Sequence, residues 1–231
     1  MKRFLIVIFG CLFLSVSVTS QAQNKPSDKT LNKNISARFS YLLDFPVDSV
    51  AIPRSVNLST GIFKKVKSKD WTSGFFPGTL WQIYKLTGDV KYKEKAAVWN
   101  AFIEKEKHNG TTHDMGFKVY SSFGKGLTVV NNDKYKKIIV KSAQTLITRF
   151  NSKIGAIRSW DHSRELFDYP VIIDNMLNLE LLFEASKISG DPTFRNIAIK
   201  HANTTLKNHF RSVSKFKILF FIDQITLRSE G

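Results

Sequence analysis

The junction Gly88-Asp89-Val90-Lys91-Tyr92 lies between two segments in which apolar residues recur at helical spacing. A glycine after the last periodic residue is typical of a helix C-terminus, and an aspartate next to it is typical of an N-cap. The same order of turn residue, aspartate and nearby aromatic residue recurs at Asn132-Asp133-Lys134-Tyr135 and at Gly190-Asp191-Pro192-Thr193-Phe194. A single helical pair cannot bury its own apolar face, so the pattern predicts helical hairpins packed side by side.

Helical periodicity extends from this junction in both directions. We predict seven helices, which cover residues 31–45, 77–86, 89–107, 114–123, 133–150, 174–189 and 192–209. Residues 45–70 contain two prolines and little periodicity, and they are predicted to form a long irregular connection. No segment before residue 210 alternates as a strand does, so the predicted fold class is all-α. Residues 212–231 no longer resemble the hairpins and are treated as an atypical tail.

The first 22 residues have the pattern of a secretory signal peptide. Lys2 and Arg3 precede an apolar run over residues 4–18, and small residues allow cleavage after Ala22. The run is shorter than the roughly 20 apolar residues that cross a bilayer. We therefore expect an exported, periplasmic protein without a membrane span in its mature chain. The only cysteine, Cys11, lies in this segment, so the mature protein must be stabilised by its core rather than by disulfides.

The mature chain is strongly basic. After Lys2 and Arg3 are removed, 33 basic and 19 acidic residues remain, a formal charge of +14. Such a charge suits an anionic partner, either an acidic polysaccharide, a lipid surface or a nucleic acid. Export argues against nucleic acid. Because the lysines are spread along the whole chain, a merely solvated basic surface stays open as an alternative.

Motif searches leave carboxylates and aromatic rings as the candidate chemistry. The sequence has no glycine-rich phosphate loop, no His-Glu-x-x-His and no Gly-x-Ser-x-Gly, so no cofactor and no metal are expected. Sugar-active sites are commonly built from carboxylates, which transfer protons, and from flat rings, which stack on sugar faces.

Three clusters near helix starts carry these residue types. They are Asp70-Trp71-Thr72-Ser73-Gly74-Phe75-Phe76-Pro77-Gly78, His113-Asp114-Met115-Gly116-Phe117 and Ile172-Ile173-Asp174-Asn175-Met176-Leu177-Asn178. Helix capping would explain either Asp114 or Asp174 without any function. Asp174, however, follows three apolar residues, and an apolar setting raises a carboxyl pKa, as a general acid near neutral pH requires.

These three clusters and Ser159-Trp160 occur together, in this order, in glycoside hydrolase family 88, the unsaturated glucuronyl hydrolases. The chain resembles that family from residue 31 to about residue 211, and the resemblance implies an (α/α)₆ toroid of helical hairpins. It also implies that the substrate is a lyase-generated glycosaminoglycan oligosaccharide with a 4,5-unsaturated uronic acid at its non-reducing end. The unsaturated rhamnogalacturonyl hydrolases share this fold and chemistry, but the Trp-Thr-Ser-Gly-Phe run favours the glucuronyl group.

The resemblance implies a role for each candidate residue. Asp174 would protonate the double bond and then activate water, and Asp114 would assist it. Trp71 and Trp160 would stack on sugar, and His113 and Asn175 would complete the substrate site. Trp81 and Trp99 fall inside predicted helices and are expected in the core instead.

The family toroid needs about twelve helices, so we expect residues 23–211 to form a partial toroid. The missing helices would leave apolar faces uncovered, which predicts a chain that is unstable or inactive alone. Two alternatives to the enzyme therefore stay open at this point, a non-catalytic binder of anionic glycans and an inactive gene fragment.

Overall fold

The structure, a computed structural model, describes residues 27–163 and 165–210 and the backbone of Ile225–Thr226. The predicted signal peptide lies outside the described residues. So does most of the atypical tail, apart from Ile225–Thr226, which pairs antiparallel with Pro170–Val171.

Helices dominate the described chain. They are α1 Asp28–Phe39, α2 Phe75–Thr87, α3 Val90–Ile103, α4, α5 Asp133–Ile147, α6 Asn175–Ser189 and α7 Pro192–His209. Helix α4 begins as the π-helix Gly116–Gly124 and ends with the single α-turn Lys125–Leu127. Short 3₁₀ segments, Ser40–Leu43 and Glu104–His108, extend α1 and α3. The predicted number and order of helices are confirmed, with shifts of a few residues at their ends.

The hairpin junctions form for the predicted reason. Gly88 and Gly190 adopt φ values of 73° and 75°, a left-handed conformation that other residues adopt at a cost. Asp89 then accepts a hydrogen bond from the Lys91 amide, and Asp191 accepts one from the Thr193 amide. At the third junction the cap is Asn132 rather than the following aspartate.

The prediction of an irregular, strand-free connection over residues 45–70 is wrong. Strands β1 Ile52–Val56 and β2 Phe63–Val66 pair antiparallel there, with a bulge between Pro53 and Ser55. Much of this hairpin faces solvent, so its sequence has no apolar alternation to reveal it. Four two-residue segments complete the strands: β3 Phe150–Asn151 pairs with β4 Ala156–Ile157, and β5 Pro170–Val171 pairs with β6 Ile225–Thr226.

One main core lies between the helices. Trp81 and Trp99 belong to it, as predicted, and are almost completely buried. Trp99 meets Phe76 edge-on with ring centroids 5.1 Å apart, which joins α3 to α2. Within the described residues, no helix is both long and apolar enough to span a membrane.

Helix α4 crosses its neighbours at glycines, where the backbones come close together. A Cβ on Gly74 or Gly78 of the α2 region would lie 2.2 Å from a carbonyl oxygen of α4. A Cβ on Gly116 would lie 2.6 Å from Cα and 2.9 Å from the carbonyl oxygen of Asn178 on α6. The absence of side chains at these positions fixes the distance from α4 to both neighbouring helices.

We predict that Gly116→Ala destabilises the protein by about 2 kcal/mol or more, because the added methyl group collides with backbone that cannot rotate away. The matched control is Gly110→Ala, whose Cβ would meet no atom closer than 3.8 Å. Urea unfolding followed by far-ultraviolet circular dichroism measures both. Equal stability of the two variants would contradict this account of the α4–α6 contact.

A buried histidine predicts a second stability effect. Burial, with smaller contributions from the charges of His113 and His209, lowers the pKa of His201 to about 4. Its Nδ1 accepts a hydrogen bond from the Ile157 amide, which requires the neutral ring. The unfolded chain binds a proton with a pKa of about 6.5. Stability from the neutral ring is therefore complete above about pH 6.5 and is lost as the pH falls towards 4.

Between pH 7 and pH 5 we expect the free energy of unfolding to fall by about 2 kcal/mol through His201. Unfolding of His201→Gln should lose this part of the pH dependence, whereas unfolding of the exposed-site control His108→Gln should keep it. A His201→Gln protein with the unchanged pH slope would show that other groups cause it.

Candidate active site

His113 and Asp114 stand on the loop that enters α4, and the backbone of Ser159 holds this loop in place. The His113 amide donates to the Ser159 carbonyl oxygen over 3.1 Å. Ser159 Oγ in turn accepts a hydrogen bond from the Ile172 amide, two residues before Asp174. Ser159 therefore ties the loop of one candidate carboxylate to the segment that carries the other.

The two predicted carboxylates face the same imidazole. His113 Nε2 lies 3.1 Å from Oδ1 of Asp114 and 3.6 Å from Oδ1 of Asp174. One polar atom from each of these three residues lies within 4.8 Å of the other two. His113 is buried, whereas 42% of the Asp174 side chain is exposed. A ligand can therefore reach Asp174 directly, while His113 stays behind it.

Neither aspartate serves as a helix cap. Asp174 occupies the N-cap position of α6 but makes no capping hydrogen bond through its side chain. The Asp114 carboxylate accepts hydrogen bonds from the Thr112 hydroxyl and from His113. Helix capping, which would have explained these two aspartates without any catalytic role, is therefore not the role of either carboxylate.

The environment of Asp114 stabilises its ionised form. Burial by itself would raise the pKa of this carboxyl. The hydrogen bond and charge of His113, the Thr112 hydroxyl and the charge of Lys118 outweigh burial, and together they lower the Asp114 pKa below its usual value.

The environment of Asp174 stabilises its protonated form. Burial raises the pKa of this carboxyl and is the largest effect, the charge of His113 lowers the pKa by less, and the negative charge of Asp114 raises it again. Its Oδ1 is buried and has no hydrogen-bond partner among the described residues. When two neighbouring carboxyls have pKa values shifted in opposite directions, the one with the raised pKa is suited to act as an acid and the one with the lowered pKa is suited to remain an anion.

The two predicted tryptophans lie on segments that are connected to this centre. Trp71 is 43% exposed, and its ring centroid lies 5.6 Å from that of Phe117, three residues after Asp114. Trp160 follows Ser159 directly and stacks on His162 at 5.4 Å with an interplanar angle of 18°. Trp71 therefore offers exposed ring surface, whereas one face of Trp160 is covered by His162.

Asn175 lies deeper than predicted. Its side chain is fully buried, and its amide nitrogen donates to the Ile157 carbonyl oxygen over 2.9 Å. The amide of the same Ile157 donates to His201. In this structure Asn175 therefore has no surface for a substrate, and it holds strand β4 instead.

A buried ion pair behind Asp114 was not predicted from the sequence. Lys118 is fully buried, and its Nζ lies 3.4 Å from Glu106, which also accepts hydrogen bonds from Ser68 and Asn109. Burial lowers the Lys118 pKa, against the raising effects of Glu106, Asp114 and Asp70. Lysines are rarely buried, and no sequence pattern marked this one.

Geometry alone would allow His113, Asp114 and Asp174 to hold a divalent cation. A histidine that binds a metal normally donates its other ring N–H to an acceptor. His113 Nδ1 is buried and makes no hydrogen bond among the described residues. The arrangement is therefore better suited to sharing a proton than to binding a metal.

Known proteins resemble this chain strongly. No protein-family model matches it. A curated unsaturated glucuronyl hydrolase of Formosa agariphila is 53% identical over 213 residues, which cover 90% of this chain and 53% of that protein. A crystal structure of a heparin-specific unsaturated glucuronyl hydrolase superposes with a TM-score of 0.73 at 38% identity, over 80% of this chain and 49% of the other.

A third relative is a solved aspartate-to-asparagine variant of UGL with dGlcA-Glc-Rha-Glc, which has a TM-score of 0.65 at 28% identity. The match covers 78% of this chain and 48% of that one. The chain thus spans about half the length of the relatives that it matches. The structural likeness confirms the predicted fold class, a partial (α/α)₆ toroid, and the chain belongs to the unsaturated glucuronyl hydrolases, glycoside hydrolase family 88.

Proposed function

We propose that this chain carries the carboxylate centre of a glycoside hydrolase that removes 4,5-unsaturated uronic acid from the non-reducing end of lyase-generated glycosaminoglycan oligosaccharides. The observation that carries the proposal is the pair Asp114 and Asp174, which face one imidazole and have pKa values moved in opposite directions. Two relatives support this proposal: one is an unsaturated glucuronyl hydrolase specific for heparin, and the other is a UGL variant with dGlcA-Glc-Rha-Glc.

In the proposed reaction Asp174 is the catalytic acid and then the catalytic base. Its raised pKa makes this carboxyl hold a proton more readily than an ordinary aspartate does, as a general acid requires. Transfer of that proton to C4 of the double bond leaves positive charge at C5 and the ring oxygen. The resulting Asp174 carboxylate accepts a proton from water as the water oxygen attacks C5. The hemiketal that forms then opens, and the bond to the next sugar breaks.

Asp114 remains ionised throughout this cycle. Its negative charge raises the pKa of Asp174 before proton transfer, and it stabilises positive charge that develops nearby afterwards. His113 Nε2 lies near Oδ1 of both carboxylates, so its hydrogen bond can shift from one carboxylate to the other as their charges change. No covalent intermediate is needed, so the spacing of the carboxylates need not follow the rule for ordinary glycosidases.

The remaining roles follow from exposure. We assign sugar stacking to Trp71, which presents exposed ring surface, and to Trp160, whose ring stacks on His162. Asn175 and Ser159 position the site without touching substrate. We further propose that the protein is exported to the periplasm, on the strength of the signal-peptide pattern in residues 1–22, and that nucleic acid is not its partner.

Replacement of the acid tests the proposal. Asp174→Asn should reduce hydrolysis of an unsaturated chondroitin or heparin disaccharide by at least about 10²-fold, because Asn cannot donate or accept the transferred proton. The control Asp168→Asn removes an exposed carboxylate from a neighbouring loop and should retain activity. Loss of ultraviolet absorbance by the conjugated double bond measures the rate. Folded wild-type protein without any turnover would favour a glycan binder or an inactive fragment.

The pH profile tests the division of roles. Activity should need protonated Asp174 and ionised Asp114, so it should fall at high pH as Asp174 loses its proton and at low pH as Asp114 gains one. Because the Asp114 charge helps to raise the Asp174 pKa, residual activity of Asp114→Asn should have its alkaline limb moved to lower pH. An alkaline limb that stays in place would assign that limb to another group.

A further inference from the structure

A row of lysines begins in β2 of the hairpin and continues along the segment after it to the exposed ring of Trp71. Lys65, Lys67 and Lys69 are exposed, whereas Val66 and Asp70 are half-buried and Ser68 is buried. Exposed and covered residues therefore alternate from residue 65 to Trp71. We call Lys65, Lys67 and Lys69 the hairpin lysines.

Acidic groups do not neutralise this row. Asp70 is the only acidic residue between positions 49 and 88. Its Oδ2 lies 3.1 Å from Arg54 Nη1, and its Oδ1 accepts hydrogen bonds from Thr72. Among the described residues, the hairpin lysines make no side-chain ion pair or hydrogen bond. By contrast, Lys107, Lys134 and Lys136 are paired with Glu104 or Asp133.

The row is joined to the candidate active site through fixed contacts. The Arg54 guanidinium lies 5.6 Å from the Trp71 ring centroid, and Trp71 contacts Phe117 of α4. Buried Ser68 donates to Glu106, which pairs with Lys118 next to Asp114 in the core. The buried residues of this segment are therefore anchored to the site, while the lysines between them point to solvent.

On the basis of the proposed function, we propose that the hairpin lysines bind sulfate groups on the part of the oligosaccharide that follows the sugar at Trp71. Charge complementarity with the sulfates carries the affinity. At 0.1 M salt, charges act over about 10 Å, so these lysines discriminate by charge among sugars close to Trp71. The expected ligand is a sulfated oligosaccharide of at least two or three residues rather than a neutral one.

Binding of a heparin hexasaccharide with a saturated non-reducing end tests the inference, since this ligand has no double bond to hydrolyse. The test variant is Lys65→Gln/Lys67→Gln/Lys69→Gln. The control is Lys137→Gln/Lys141→Gln/Lys153→Gln, which removes the same charge from exposed positions elsewhere. Titration calorimetry from 50 to 200 mM salt gives the affinity and its salt dependence.

We expect the hairpin variant to lose at least about 10-fold in affinity at 50 mM salt, and its log K against log salt slope to fall by roughly 0.7–0.9 per lost ion pair, as for other polyanions. The control variant should change by less than about 2-fold. A chondroitin sulfate hexasaccharide should show the same loss if sulfate is what is recognised, and a desulfated hexasaccharide should show none. A loss confined to heparin would narrow the ligand to that backbone.

Equal losses in both triple variants would overturn the inference, as would equal binding of desulfated and sulfated ligands. Duplex DNA of matched charge that binds as tightly through the same lysines would replace the sulfated glycan with a general polyanion. Turnover of an unsaturated disaccharide is measured separately. Hairpin-dependent binding without turnover would sink the proposed function alone, and turnover without hairpin dependence would sink this inference alone.

Discussion

The site depends on one close contact between α4 and α6. The Phe117 amide donates to Asn178 Oδ1 over 2.8 Å, across a crossing at which Gly116 leaves no room for a Cβ. Asp114 stands just before the start of α4, and Asp174 stands just before the start of α6. The distance between the two carboxyls is therefore set by how closely the two helices approach. A single methyl group at this crossing would change the distance between the two carboxyls.

Once the two aspartates are adjacent, their surroundings make them different. Asp114 has hydrogen-bond donors on both sides, from Thr112 and His113, and these outweigh its burial. Asp174 has a buried oxygen without a donor and a neighbouring negative charge. The surroundings thus favour the ionised form of the same residue type at one position and its protonated form at the other, as the proposed roles require. The π-helical start of α4 lies next to this pair, which is where such helices are often found.

Local signals in the sequence predicted most of the fold. Glycine followed by aspartate marks hairpin junctions because only adjacent residues are involved, and Gly88 and Gly190 behave as expected. Apolar periodicity predicted the seven helices of the described residues, but it could not predict the β1–β2 hairpin, in which buried and exposed residues do not alternate along β1 and β2 has no fully buried residue. The family resemblance identified Asp114, Asp174 and Trp71 as candidates. It could not show that Asn175 is completely buried, because burial depends on β4, which is far from it in sequence.

The burial of Lys118 could not be predicted from the sequence either. Its position next to Asp114 indicates what its ion pair with Glu106 does. Replacing a buried ion pair by apolar residues often leaves stability unchanged or improves it, so stability alone is a weak reason to keep one. Lys118 lies one helical turn after Asp114, and the Lys118 amide donates to the Asp114 carbonyl oxygen over 3.0 Å. Its charge also lowers the pKa of Asp114. Glu106, with Ser68 and Asn109 bound to it, holds the ammonium group in the core. The ion pair thus keeps a positive charge behind the anion that the proposed reaction requires, where water cannot screen it and substrate cannot displace it.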